Sequence, residues 1–137
     1  MNKRVVAILF GGVSSEHEVS RMSATSVLKN IDREAFDPVM VGITKDGRWL
    51  RYTGPVVFGD QGAETVRLDA VFPVMHGRNA EDGSMQGLCE LSGVPYVGPG
   101  VTASALCMDK EYTHIVLAAS GVPTTDWVCV HRDAVPS

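Results

Sequence analysis

Two periodicities alternate along this chain. Val5 to Phe10 (VVAILF) is an unbroken apolar run rich in β-branched residues, which predicts a buried parallel strand. Beyond it Val19, Met22, Ser26, Val27 and Ile31 recur at helical spacing. They predict about four helical turns with Arg21 and Lys29 on the outer side. Phe36 to Thr44 reads as a second strand, Lys45-Asp46-Gly47-Arg48 as a turn, and Trp49 to Tyr52 as a hairpin partner or edge extension. Residues 53–67 hold glycine and proline without a period and are expected to be a loop. Asp69 to Met75 is another apolar strand, and Pro73 within it marks a strand end or an edge.

The polar loop 76–84 then leads into a short helix, Met85 to Leu91, capped by Asp82 or Ser84 and ended by Ser92-Gly93. Val94 to Gly98 reads as a fourth short strand and Val101 to Cys107 as a small-residue helix. Asp109 is placed as the N-cap of a longer helix carrying Tyr112, Ile115, Val116 and Ala119, closed by Gly121. Asp126 to Val130 predicts a new strand, followed by a polar tail. Strands alternating with helices predict an α/β fold built on a parallel sheet. Ligands of such sheets sit beyond the carboxyl ends of the strands. Loops 11–17 and 76–84 both follow strands, so one cleft is expected to hold both.

Length and composition narrow the partners. A chain of 137 residues is long enough to bury a sizeable core. A formal net charge of −4 without a basic cluster argues against nucleic acid or an anionic membrane surface. No stretch reads as a signal peptide, and none approaches the roughly 20 apolar residues that span a bilayer. Cys89, Cys107 and Cys129 are odd in number and far apart. That pattern fits a reducing cytoplasm, with core filling as the expected role of each.

The first candidate chemistry lies in Gly11-Gly12-Val13-Ser14-Ser15-Glu16. Two glycines let the backbone turn sharply, the serines are able to cap the helix, and its free N–H groups favour an anion. Glu16 has two readings. It offsets the helix dipole, contributing about 0.3–1 kcal/mol, or it supplies the other half of a zwitterion site, taking an ammonium while the helix end takes a carboxylate. The second arrangement suits an amino acid. The glycine pair is neither a dinucleotide fingerprint nor a Walker A loop.

His76-Gly77 stands on the same edge, followed by Arg78, Glu81 and Asp82. These are placed to orient the imidazole or hold a substrate carboxylate; the alternative is a structural histidine. His17 reads as an exposed neighbour. His114 and His131 have no partner at metal-ligand spacing, so no metal site is expected. Lys110 falls in the first turn of a helix, where a cation is unfavourable. It is either a solvated surface lysine or a point charge for a phosphate.

Three stretches, FGGVSSEHEVSRMSA (10–24), HGRNAEDGSMQGLCELSGVPYVGPG (76–100) and ASALCMDKEYTHIVLAASGVP (103–123), together resemble the N-terminal end of the D-alanine–D-alanine ligase family. GITKDGRWLRYTG (42–54) resembles the subfamily that includes the D-alanine–D-serine ligases of vancomycin resistance. The resemblance implies a Rossmann-like parallel sheet with flanking helices over residues 1–108, a pre-ATP-grasp substrate domain. Residues 109–137 would begin the central ATP-grasp domain with its first strand.

The resemblance further implies cell-wall precursor chemistry. ATP phosphorylates a first D-alanine, and the amine of a second D-alanine or D-serine attacks the acylphosphate. On the matching positions Glu16 would bind the ammonium of the first D-alanine, Val19 would line its pocket, and His76 with Gly77 would sit beside it. Glu81 would support them from behind, and Lys110 would reach the ATP phosphates. The ligands of Mg²⁺ and the selector of the second substrate are expected beyond residue 137, and the intact enzyme is expected to be a homodimer. By itself the 137-residue stretch is expected to lack ligase activity. Against this stands a non-catalytic module binding an amino acid or nucleotide in the same cleft, or a structural, dimerising domain.

Overall fold

The computed structural model describes residues 2–52 and 67–131. Strand β1 (Arg4–Gly11) pairs in parallel with β2 (Phe36–Ile43) on one side and with β4 (Ala70–Pro73) on the other. The hairpin strand β3 (Trp49–Tyr52) pairs antiparallel with β2, giving the order β3-β2-β1-β4. Ile43 lies opposite Trp49 across the turn, as the Asp46-Gly47 signal predicts. The central strand carries the unbroken apolar run because both of its faces are covered. Ala7 and Leu9 pack with Val71, Met75, Met85 and Cys89 on one face; Ile8 and Phe10 pack with Ala24 on the other, against Val27 and Met40.

Helix α1 (His17–Asn30) has the length its periodicity predicts, but its buried face is different. Ser20 and Ala24 face the sheet, while Val19 is 44% exposed and Met22 66% exposed. Small residues let the helix lie close to β1, and the Ser20 hydroxyl satisfies backbone groups there. The apolar pair Val19 and Met22 is therefore not core.

Helix α2 (Ser84–Leu91) begins at Gly83; neither Asp82 nor Ser84 caps it as expected. Asp82 instead accepts the Asn79 N–H at 2.8 Å and the Ser84 N–H at 3.1 Å, closing the loop before the helix. Val94 to Gly98 does not form a full strand. It makes a single parallel bridge, Tyr96 to Val71, since Pro95 has no N–H to continue the ladder. Pro73 ends β4, which lies at the edge of the four-stranded sheet.

Helix α3 (Val101–Met108) is followed at once by α4 (Lys110–Ala119). Asp109 caps α4 as predicted, its carboxylate accepting the Glu111 and Tyr112 N–H groups. The strand expected over Asp126–Val130 is absent: these residues pair with no neighbour and Val128 is 86% exposed. A strand needs a partner ladder for its backbone groups, and none is present among the described residues. The loop expected over 53–67 and the polar tail lie almost wholly outside the described residues. Cys89 fills the core, but Cys107 and Cys129 are exposed, which corrects the common role expected for the three.

Candidate functional site

Both glycine-bearing loops leave the carboxyl ends of parallel strands and meet. Gly11, at φ +88°, ends β1 so close to the Ile43 carbonyl that any Cβ would collide with it. Its N–H donates to the Ser20 hydroxyl at 2.8 Å, which in turn donates to the Val74 carbonyl at 2.7 Å. One fully buried side chain thus joins the end of β1, helix α1 and the exit of β4. A serine within an otherwise apolar period is the signal that reading for amphipathicity passes over.

Ser14 performs the matching task at the surface. Its hydroxyl donates to the His76 carbonyl at 2.9 Å and accepts the Glu16 N–H at 3.2 Å. Ser14 therefore bridges the two loops and does not cap the helix, whose N-cap residue is Glu16. His17 is half-buried and its Nδ1 donates to the Gly12 carbonyl at 2.8 Å, so it braces the loop and is no mere exposed neighbour.

Glu16 reaches Gly77. A Cβ built on Gly77, where φ is +71°, would lie 2.8 Å from the Glu16 carboxylate. The Gly77 N–H donates to Glu81 Oε2 at 2.8 Å, and the other Glu81 oxygen stands 3.9 Å from His76 Nδ1. On its far side the His76 ring meets the Ser23 hydroxyl, Nε2 to Oγ 3.2 Å. Glu16, Val19 and Ser23 are spaced to share one face of α1. Val19, on that face, is 44% exposed.

Lys110 is brought near by α3 and α4. Its ammonium donates to the Cys107 carbonyl at 2.7 Å, turning a cation that opposes the helix dipole back onto the carbonyl end of the preceding helix. Lys110, His76 and Glu81 line one cavity of about 640 Å³, with Phe72, Val74 and Val97 on its walls. Glu16 and Val19 lie outside that cavity, and His76 is the residue common to both sides. Glu81 is the one carboxylate among its described lining residues. Arg78 is exposed and does not line the cavity.

Asp82 holds the loop electrostatically. Burial alone would raise its carboxyl, but the Asn79 N–H, with the Ser84 contacts, outweighs burial and sets it below the usual value of 3.8. Burial pushes the Cys89 thiol up, in keeping with an inert core residue. Elsewhere the structure joins what sequence separation hides: His131, expected to lack any partner at metal-ligand spacing, lies beside Cys129 and Glu111. No helix among the described residues is long and apolar enough to cross a membrane.

A central parallel strand flanked by helices, with two linked loops at its carboxyl edge, defines a Rossmann-like α/β domain. A family profile described as D-ala D-ala ligase N-terminus matches residues 5–59 and 53–99, and the chain belongs to that family. A D-alanine–D-alanine ligase of Clostridium novyi is 51% identical over 94% of this chain and 42% of its own length. The crystal structure of the VanG D-Ala:D-Ser ligase from Enterococcus faecalis superposes with a TM-score of 0.79 at 38% identity, over 88% of this chain and 43% of that one. The ligase of Coxiella burnetii gives a TM-score of 0.84 at 33% identity, over 92% and 44%. That of Bacillus anthracis, solved in complex with ATP, gives 0.70 at 28%, over 93% and 38%. The chain therefore spans less than half the length of these relatives.

Proposed function

We propose that this chain is the N-terminal, substrate-binding part of a cytoplasmic, ATP-dependent D-alanine–D-alanine ligase that serves peptidoglycan synthesis. In this reading residues 1–108 hold the first D-alanine, and residues 109–137 open the ATP-grasp domain. The observation that carries it is the Glu16 carboxylate set against Gly77, beside a His76 ring fixed by Ser23 and Glu81. That juxtaposition offers an ammonium an acidic partner at the mouth of a cleft. Glu16 would take the ammonium of D-alanine and Val19 would contact its methyl group. His76 would lie beside the carboxylate, with Glu81 orienting the ring.

Lys110 would meet the phosphates of ATP, a substrate, from the far end of the cavity that His76 lines. When bound, Mg²⁺ neutralises the phosphate charge; its ligands belong to the remainder of the full-length protein. The carboxylate of D-alanine takes the γ-phosphoryl group, and the amine of the second amino acid displaces phosphate from the acylphosphate. Holding the first substrate in one orientation is this chain's contribution, through lost motional freedom at the reacting carboxylate. A homodimeric enzyme is part of the same proposal, through family resemblance alone.

D-Serine as second substrate is the alternative reading, supported by the likeness to the VanG ligase. The deciding measurement is phosphate release from ATP by the natural-length gene product, with D-alanine alone and with D-serine added. The ligase reading expects release that requires D-alanine and collapses in Glu16→Gln. Extra release with D-serine selects the D-Ala–D-Ser branch. No release with any amino acid overturns the ligase reading in favour of a binding module.

A further inference from the structure

The chain beyond α4 folds back on that helix. The Val122 N–H donates to the Leu117 carbonyl at 3.0 Å, His114 Nδ1 meets the Thr124 hydroxyl at 2.6 Å, and the Trp127 ring stacks on His114 with centroids 5.4 Å apart. The returning segment carries Cys129 and His131 to Glu111, in the first turn of α4. One donor atom from each of the three lies within 4.8 Å of the other two. Cys129 Sγ and His131 Nε2 are 3.7 Å apart. A tetrahedral ion with bonds of about 2.3 Å to sulfur and 2.0–2.1 Å to nitrogen holds such a pair roughly 3.5 Å apart.

Cys129 and His131 are exposed, and Glu111 is half-buried. The hydrogen bond to the Glu111 carboxylate, more than desolvation, holds the Cys129 thiol above its ordinary value.

We propose that Glu111, Cys129 and His131 form a binding site for a borderline-soft divalent cation of the zinc class, which clamps the returning segment to the start of α4. Thiolate and imidazole select zinc or cobalt over magnesium and calcium, which favour all-oxygen shells. On binding, the Cys129 thiol releases its proton to solvent. Sulfur, His131 Nε2 and one Glu111 oxygen each donate an electron pair, and water takes the fourth position. The site lies outside the His76 cavity and does not depend on the ligase reading.

The test is a Co²⁺ titration of the natural-length gene product after EDTA treatment, followed by its thiolate-to-cobalt charge-transfer absorption. One equivalent per chain is expected to raise the band, and Zn²⁺ to abolish it by displacement. Cys129→Ala should remove the band. Losing even an outer-shell partner of a metal ligand costs about 10–100-fold in affinity, so His131→Ala and Glu111→Gln should each weaken binding by at least about tenfold. Cys129 and His131 are exposed and Glu111 is half-buried, and circular dichroism identical to the parent would show that the fold survives each substitution. No band, or a band that persists in Cys129→Ala, overturns the proposal.

Discussion

The Ser14 hydroxyl donates to the His76 carbonyl at 2.9 Å, joining two loops that stand 62 residues apart in sequence. The same oxygen accepts the Glu16 N–H, so one side chain sets the backbone that carries Glu16 and the backbone that carries His76. Two site residues in loops that follow different strands thereby share a common anchor.

Ser14→Ala should therefore cost about 0.5–1.5 kcal/mol of stability, the usual worth of a hydrogen bond in a partly exposed setting. In the natural-length protein it should also raise the KM for the first D-alanine more than it lowers kcat. Urea denaturation and phosphate-release kinetics measure the two effects separately.

Ser20→Ala should be costlier. Ser20 is fully buried, and its loss orphans the Gly11 N–H and the Val74 carbonyl together. A buried group left unpaired costs about 1–3 kcal/mol. A fall in the urea midpoint without a change of slope is the expected result. Ser20→Thr, which keeps the hydroxyl, should recover part of the loss if space allows one more methyl.

Gly77→Ala tests the juxtaposition with Glu16. The new Cβ would lie 2.8 Å from the Glu16 carboxylate, at a φ of +71° that costs a non-glycine residue about 1–2 kcal/mol. The Glu16 side chain must move away. Loss of D-alanine-dependent phosphate release in a protein that still unfolds cooperatively is expected. Unchanged kinetics would separate Glu16 from substrate binding.

The Asp82 carboxyl sits below its ordinary 3.8 in the folded protein. Its contribution is thus whole above the unfolded value and is lost as pH falls through the lower folded value. Stability measured across the window around and below pH 3.8 should drop, and Asp82→Asn should flatten that part of the profile. The stability difference between parent and Asp82→Asn should be largest near neutral pH and shrink in acid.

Much of this architecture is legible locally. The run Val5 to Phe10 is unbroken because its strand is covered on both faces. Asp109 announces α4 because a carboxylate before a helix has backbone N–H groups to accept. Asp46-Gly47 and Pro73 mark a turn and a strand end through backbone chemistry that acts over a few residues. Glu16, Val19, His76, Gly77 and Lys110 were legible as candidates through motif and family likeness. The placement of loops 11–17 and 76–84, with Glu16, His76 and Gly77, on one edge followed from the parallel-sheet rule.

Other features depend on neighbours distant in sequence. The helical period of Val19, Met22, Val27 and Ile31 does not mark the buried face by itself: Ser20 and Ala24 are buried against the sheet with Val27 and Ile31 packed beside them, while Val19 and Met22 are exposed. Apolar composition suggested strands at Val94–Gly98 and Asp126–Val130. Pairing decides whether a strand exists, and the first segment finds one bridge and the second none.

The sequence by itself determined the order of the elements from β1 to α4, the α/β class and the family, because periodicity, caps and turn residues act within a few positions of the chain. Tertiary structure alone decided that Ser14 holds His76, that Glu16 meets Gly77, and that Glu111, Cys129 and His131 converge. Ser14 and His76 are 62 positions apart, and Glu111 and Cys129 are 18 apart, separations at which packing geometry and not local propensity sets the distance.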